Sequence, residues 1–86
     1  MLIIASKDSK NPVLINLTKA PINQLLSIEK IDNDLAKSAL FKFGIAEKSI
    51  IKIIRFTVFK GPLVIEFGDV SYAISFKNAQ NLLVSF

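Results

Sequence analysis

Two turn signals divide the apolar run from Ile50 to Phe76 into three pieces, and that punctuation commits the region to three antiparallel strands. The signals are Lys60-Gly61-Pro62 and Gly68-Asp69; the second, with Gly at its first central position, suits a type II′ hairpin. With Gly68 and Asp69 as the loop, Phe67 faces Val70, Ile65 faces Tyr72 and Leu63 faces Ile74. A one-residue slip breaks all three pairs. In the first hairpin, a loop from Phe59 to Pro62 sets Val58 against Leu63, Phe56 against Ile65 and Ile54 against Phe67, with Arg55 facing Glu66 on the other side. The expected result is one apolar face carrying Ile54, Phe56, Val58, Leu63, Ile65, Phe67, Val70, Tyr72, Ile74 and Phe76, which the rest of the chain must cover.

Upstream, Leu2-Ile3-Ile4 reads as a short terminal strand, lying on the sheet edge or pairing with a second copy, and Ser6 to Pro12 as an exposed turn-prone segment. Residues 1–12 are therefore set apart as an N-terminal extension or edge strand, and 13–86 as the folded domain. Val13 to Leu17 is extended and apolar, and Ala20-Pro21-Ile22-Asn23 breaks it as a turn. From Gln24 to Ile31 a further strand turns Leu26 and Ile28 inward before a bend; a helix is the alternative reading of that piece.

Asp32-Asn33-Asp34 offers an N-cap for a helix from about Asp34 to Phe43, with Asp34 at the positive end of the helix dipole. Leu35, Ala36, Ala39, Leu40 and Phe43 form its apolar stripe. Gly44 stands where a left-handed residue ends a helix, and Ile45 supplies the apolar contact of a Schellman ending. After Phe76, Lys77 to Asn81 suits one helical turn, and Leu82 to Phe86 a last strand. Five to six short antiparallel strands with one short α-helix inserted describe a mainly β fold, a small bent barrel of the SH3-like kind.

The chain has no cysteine and no histidine, which removes disulfides, thiolate and imidazole metal sites and every catalytic template that needs either residue. Its 86 residues and 51% hydrophobic content suffice for one core. The +4 net charge comes from ten lysines and a single arginine spread along the chain, which reads as solubilising surface more than as a nucleic-acid face. No signal peptide is expected at the start, and no run reaches the ~18 apolar residues of a membrane span, so membrane insertion is not expected.

Asp32 and Asp34 lack the further oxygen ligands and spacing of a calcium site and read as capping residues. Gly44, Gly61 and Gly68 form no phosphate-cradling loop, and no acid/base pair is placed by any motif, so no enzyme, cofactor or metal is expected. Tyr72, opposite Ile65, reads as core. Phe41 falls off the helix's apolar stripe and Phe59 lies in a hairpin loop, so the two are candidates for a partner-binding patch unless the barrel's curvature buries one of them.

The order of these elements resembles the FeoA family of bacterial ferrous iron uptake. The resemblance is carried by Phe43-Gly44-Ile45 at the helix end, the strand from Ile50 to Thr57, the hairpin Val58-Phe59-Lys60-Gly61-Pro62, the strand Leu63 to Phe67, the ending Asn78 to Val84, and the opening segment Leu17 to Gln24. The chain departs from the family pattern after the helix, where Glu47-Lys48 replaces the usual Pro-Gly, and in the hairpin, where Gly61 stands at a common Asp position. The resemblance implies a cytoplasmic, non-enzymatic adaptor or regulator that acts through protein contact with the FeoB transporter. Expected exposure, rather than the resemblance, selects Phe41, Phe59, Lys60 and Pro62 as the contact residues. The alternative is a basic SH3-like nucleic-acid-binding module, which would lose affinity steeply with salt.

Overall fold

A computed structural model describes residues 13–86; the expected terminal strand at Leu2-Ile3-Ile4 lies outside the described residues. Among the described residues, six strands form one antiparallel sheet: β1 (Ile15–Asn16), β2 (Leu25–Ile31), β3 (Ile50–Phe56), β4 (Leu63–Phe67), β5 (Val70–Ile74) and β6 (Leu82–Ser85), in the spatial order β1-β6-β2-β3-β4-β5. A 3-10 turn at Leu17–Lys19 follows β1, a helix α1 (Asp34–Phe41) joins β2 to β3, and one helical turn α2 (Phe76–Ala79) joins β5 to β6. The extended piece expected over Val13 to Leu17 is thus shorter, because Asn16 accepts from the Thr18 amide and hydroxyl and turns the chain into the 3-10 segment.

β2 is a strand with Leu26 and Ile28 inward, and its bend is a bulge between Ile28 and Lys30 that lets Ile31 also reach the core. A second bulge lies between Ile53 and Arg55 in β3. Bulges bend strands and increase their twist, which suits the curvature of an SH3-like sheet around a single core. That core holds Leu17, Leu26, Ile28, Leu40, Ile45, Ile51, Ile53, Leu63, Ile65, Leu82 and Val84, all essentially inaccessible to water.

The β4–β5 register is Phe67 to Val70, Ile65 to Tyr72 and Leu63 to Ile74, as the turn chemistry predicts. Gly68 has φ 64° and Asp69 is not among the positive-φ residues, the φ pattern of a type II′ turn. The β3–β4 register differs from expectation. Phe56 pairs with Leu63, Arg55 with Val64, Ile53 with Ile65 and Lys52 with Glu66. The strand ends at Phe56, so the connection is longer than the four residues expected, and the bulge absorbs one more. Past the bulge the parity reverses: Ile51 and Ile53 point into the core in place of Ile54, and Val58 leaves the sheet with 75% of its surface exposed. Glu66 accordingly lies across from Lys52, and Arg55 does not face it.

Helix α1 starts on Asn33, whose side chain accepts from the amides of Leu35 at 2.8 Å and Ala36 at 3.0 Å. It ends as a Schellman motif: the Ile45 amide donates to the Leu40 carbonyl and the Gly44 amide to Phe41, with Gly44 at φ 82°. Ala36 and Leu40 are buried, but Leu35, expected in the stripe, is 80% exposed, since the buried arc on this short helix is narrow.

Glu29 makes the most connected polar contacts. Ser85 Oγ donates to its Oε2 and Lys48 Nζ to its Oε1, both at 2.6 Å, tying β2 to the end of β6 and to the turn before β3. Hydrogen bonds from Lys48, then Ser85 and Ser27, hold the carboxyl down to about 2. The unfolded carboxyl titrates near 4.5, so its contribution to stability is complete above that pH and is lost as the pH falls toward 2. Glu29→Gln is expected to destabilise the domain at neutral pH and to flatten the loss of stability across that acid window, as read from denaturant midpoints at pH 7 and pH 3.

Candidate functional site

Among the described residues, Phe59 in the β3–β4 connection is the most exposed large hydrophobic side chain. Within that connection, Val58 to Gly61 closes a turn in which the Gly61 amide donates to the Val58 carbonyl at 3.0 Å. The two central residues, Phe59 and Lys60, both have φ 57°. Positive φ at both centres marks a type I′ turn, a position that usually selects Asn-Gly because a Cβ is crowded there. Here an aromatic and a lysine occupy it, and Phe59 is 97% exposed, so nothing in the fold compensates it by burial. Thr57 Oγ1 donates to the Pro62 carbonyl at 2.8 Å and braces the base of the loop. No acidic residue occurs between Lys48 and Glu66, so the tip is apolar and, through Arg55 and Lys60, cationic.

Lys60→Gly removes the Cβ from a left-handed position and is expected to raise stability by up to about 1 kcal/mol, the gain offset in part by the greater freedom of Gly in the unfolded chain. Denaturant unfolding with an unchanged slope and a higher midpoint checks it.

The four residues selected from the sequence do not form one tight cluster of rings. Phe59, Lys60 and Pro62 belong to the hairpin loop and are exposed. Phe41 ends α1 with 70% of its surface exposed. Among the described residues the one stacked aromatic pair is Phe43 on Tyr72, with centroids 4.5 Å apart, so Phe41 and Phe59 do not stack. Tyr72 packs against the core, as its cross-strand place implies.

A feature that sequence reasoning did not find is an open cleft of about 240 Å³ between α1 and the end of β5, lined by Ala39, Leu40, Lys42, Phe43, Ile74 and Ser75 among others. The expected helix stripe includes Leu40 and Phe43; Leu40 is buried, whereas Phe43 lies past the end of α1 and is exposed, and the position of both beside β5 depends on long-range packing that no local pattern encodes. Among the described residues, no group of three or more His, Cys, Asp or Glu side chains could hold a metal ion. No helix among them is long and apolar enough to cross a membrane.

Comparison with known proteins gives this geometry a family. The FeoA domain matches residues 15–85. No curated protein matches the chain. Among solved structures, an iron uptake regulatory protein, FeoA, is similar with TM-score 0.71 and 20% identity, over 84% of this chain and 95% of its own. The zinc-complexed FeoA of Stenotrophomonas maltophilia, described as a prokaryotic SH3 domain protein, gives TM-score 0.67 and 17% identity over 83% of this chain and 89% of its own. A manganese-dependent transcriptional repressor gives TM-score 0.77 and 14% identity; it is matched over 87% of this chain but 42% of its own length. The structural likenesses establish an SH3-like fold, and the domain match across nearly the whole described region establishes that the chain belongs to the FeoA family, which is associated with ferrous iron transport.

Proposed function

We propose that the protein is a cytoplasmic, non-enzymatic regulator of ferrous iron uptake that acts by touching the cytosolic side of the FeoB transporter through Phe41, Phe59, Lys60 and Pro62. The observation that carries the reading is Phe59, an aromatic side chain 97% exposed on a turn whose left-handed backbone disfavours it. A solvent-exposed aromatic at a position better suited to Asn or Gly costs the isolated domain stability, and such features concentrate where a partner contributes the missing contacts. Membership of the FeoA family supplies the transport context.

The test is a titration of the full chain with the cytosolic domain of the transporter, at concentrations suited to a weak complex. Phe59→Ser and Phe41→Ser are each expected to weaken binding by about tenfold. Absence of any association for the unsubstituted chain sinks the proposal. Undiminished binding by both variants moves the contact elsewhere on the surface.

A further inference from the structure

A different face of the molecule ends in an open strand edge. β5 is the last strand of the sheet, paired on one side with β4 and, among the described residues, with nothing on the other. In a two-residue hairpin the pair flanking the loop exchanges both of its hydrogen bonds, so Phe67–Val70, Ile65–Tyr72 and Leu63–Ile74 are the bonded pairs. Val70, Tyr72 and Ile74 therefore direct their backbone groups at β4, while Ser71 and Ala73 direct theirs outward. Both of these residues are exposed. The strand Val-Ser-Tyr-Ala-Ile contains no charge, no proline and no bulge, the devices that normally keep an edge from pairing.

We propose that two copies pair antiparallel through β5 about a two-fold axis at Tyr72, joining their sheets into one. In that register Ser71 lies opposite Ala73 of the second copy, and the two such pairs satisfy all four outward backbone groups of each strand's central segment. The side-chain chemistry selects the same register. Val70, Tyr72 and Ile74 share a face, and Val70 is 50% exposed on it. Antiparallel pairing places Val70 of the second copy across from Ile74, at the mouth of the cleft lined by Ala39, Leu40 and Phe43. The chain thus carries both the apolar knob and the apolar cleft that receives it, at opposite ends of one short strand, as a two-fold interface requires. Charge agrees as well: Asp69 precedes the strand and Lys77 follows it closely, so an antiparallel copy brings opposite signs toward each other at both ends. At the axis, Phe43 stacked on Tyr72 meets the same pair from the second copy. The hairpin tip proposed for the transporter takes no part, and sedimentation of the chain alone tests this reading without the transporter.

The experiment is sedimentation of the full chain across a wide concentration range. A monomer–dimer equilibrium is expected, and Ala73→Pro, which deletes an outward amide without touching the β4 pairing, is expected to raise the dissociation constant by about tenfold or more. Val70→Ser, a milder change that leaves the backbone intact, is expected to shift it in the same direction. Because the chain has no cysteine, Ser71→Cys mixed with Ala73→Cys is expected to give a disulfide-linked heterodimer on mild oxidation, in preference to either variant alone. A monomer at every concentration overturns the proposal. So does a dimer that persists undiminished in both Val70→Ser and a folded Ala73→Pro, folding being checked by circular dichroism.

Discussion

Ile53→Ala is expected to destabilise the domain by about 2–5 kcal/mol, and Ile54→Ala by about 1–2 kcal/mol, although the two residues are adjacent and chemically identical. Ile53 has no exposed surface and faces the equally buried Ile65, while Ile54 sits at the bulge and is half-buried. Truncating a buried isoleucine loses the transfer free energy of the removed carbons and leaves a cavity in a close-packed core. At the bulge the backbone is already irregular and part of the side chain is in water, so less is lost and the site collapses more easily. For a domain of this size each kcal/mol moves the melting temperature by roughly 4–8 °C, so thermal unfolding separates the two variants plainly. The reverse ranking would restore the register in which Ile54 faces Phe67 and would dispose of the bulge.

That pair also shows where the sequence is legible and where it is not. The β4–β5 hairpin was readable because Gly68 permits only a few tight turns and each fixes the register within a residue. The end of α1 was readable because Gly44 and Ile45 encode a local motif. β3 was not, because Ile50-Ile51-Lys52-Ile53-Ile54 is apolar on both parities, so alternation cannot choose a face. The choice falls to the loop, and Phe59-Lys60 is a turn centre that residue preferences do not predict, with no Gly at either left-handed position. Of the candidate site, the exposure of Phe41 and Phe59 followed from their being outside the apolar periodicities. The cleft beside β5 and the Glu29 contacts did not follow, since Ser85 is 56 residues from Glu29 and only the folded sheet brings them together.

The hairpin loop itself gives the second large effect. Gly61→Ala is expected to cost about 1–3 kcal/mol, although φ at Gly61 is not in the left-handed region and an alanine there has no intrinsic conformational penalty. The cost is steric. A Cβ at this position would overlap Thr57 Oγ1 and would stand 3.1 Å from the Val58 carbonyl oxygen. The hydroxyl cannot simply rotate away, because Oγ1 donates to the Pro62 carbonyl at 2.8 Å and so holds the two sides of the loop together. Relief therefore requires breaking that bond or opening the turn held by Gly61 and Val58. Thr57→Ala alone loses one exposed hydrogen bond and is expected to cost about 0.5–1.5 kcal/mol. In the Thr57→Ala background Gly61→Ala meets only the tight approach to the Val58 oxygen, so its cost should fall, and the double variant should be more stable than the sum of the single losses predicts. A double-mutant cycle by denaturant unfolding measures this coupling. Strict additivity would mean that Thr57 does not occupy the space an alanine at position 61 needs, and that the brace across the loop is not what shapes the turn carrying Phe59.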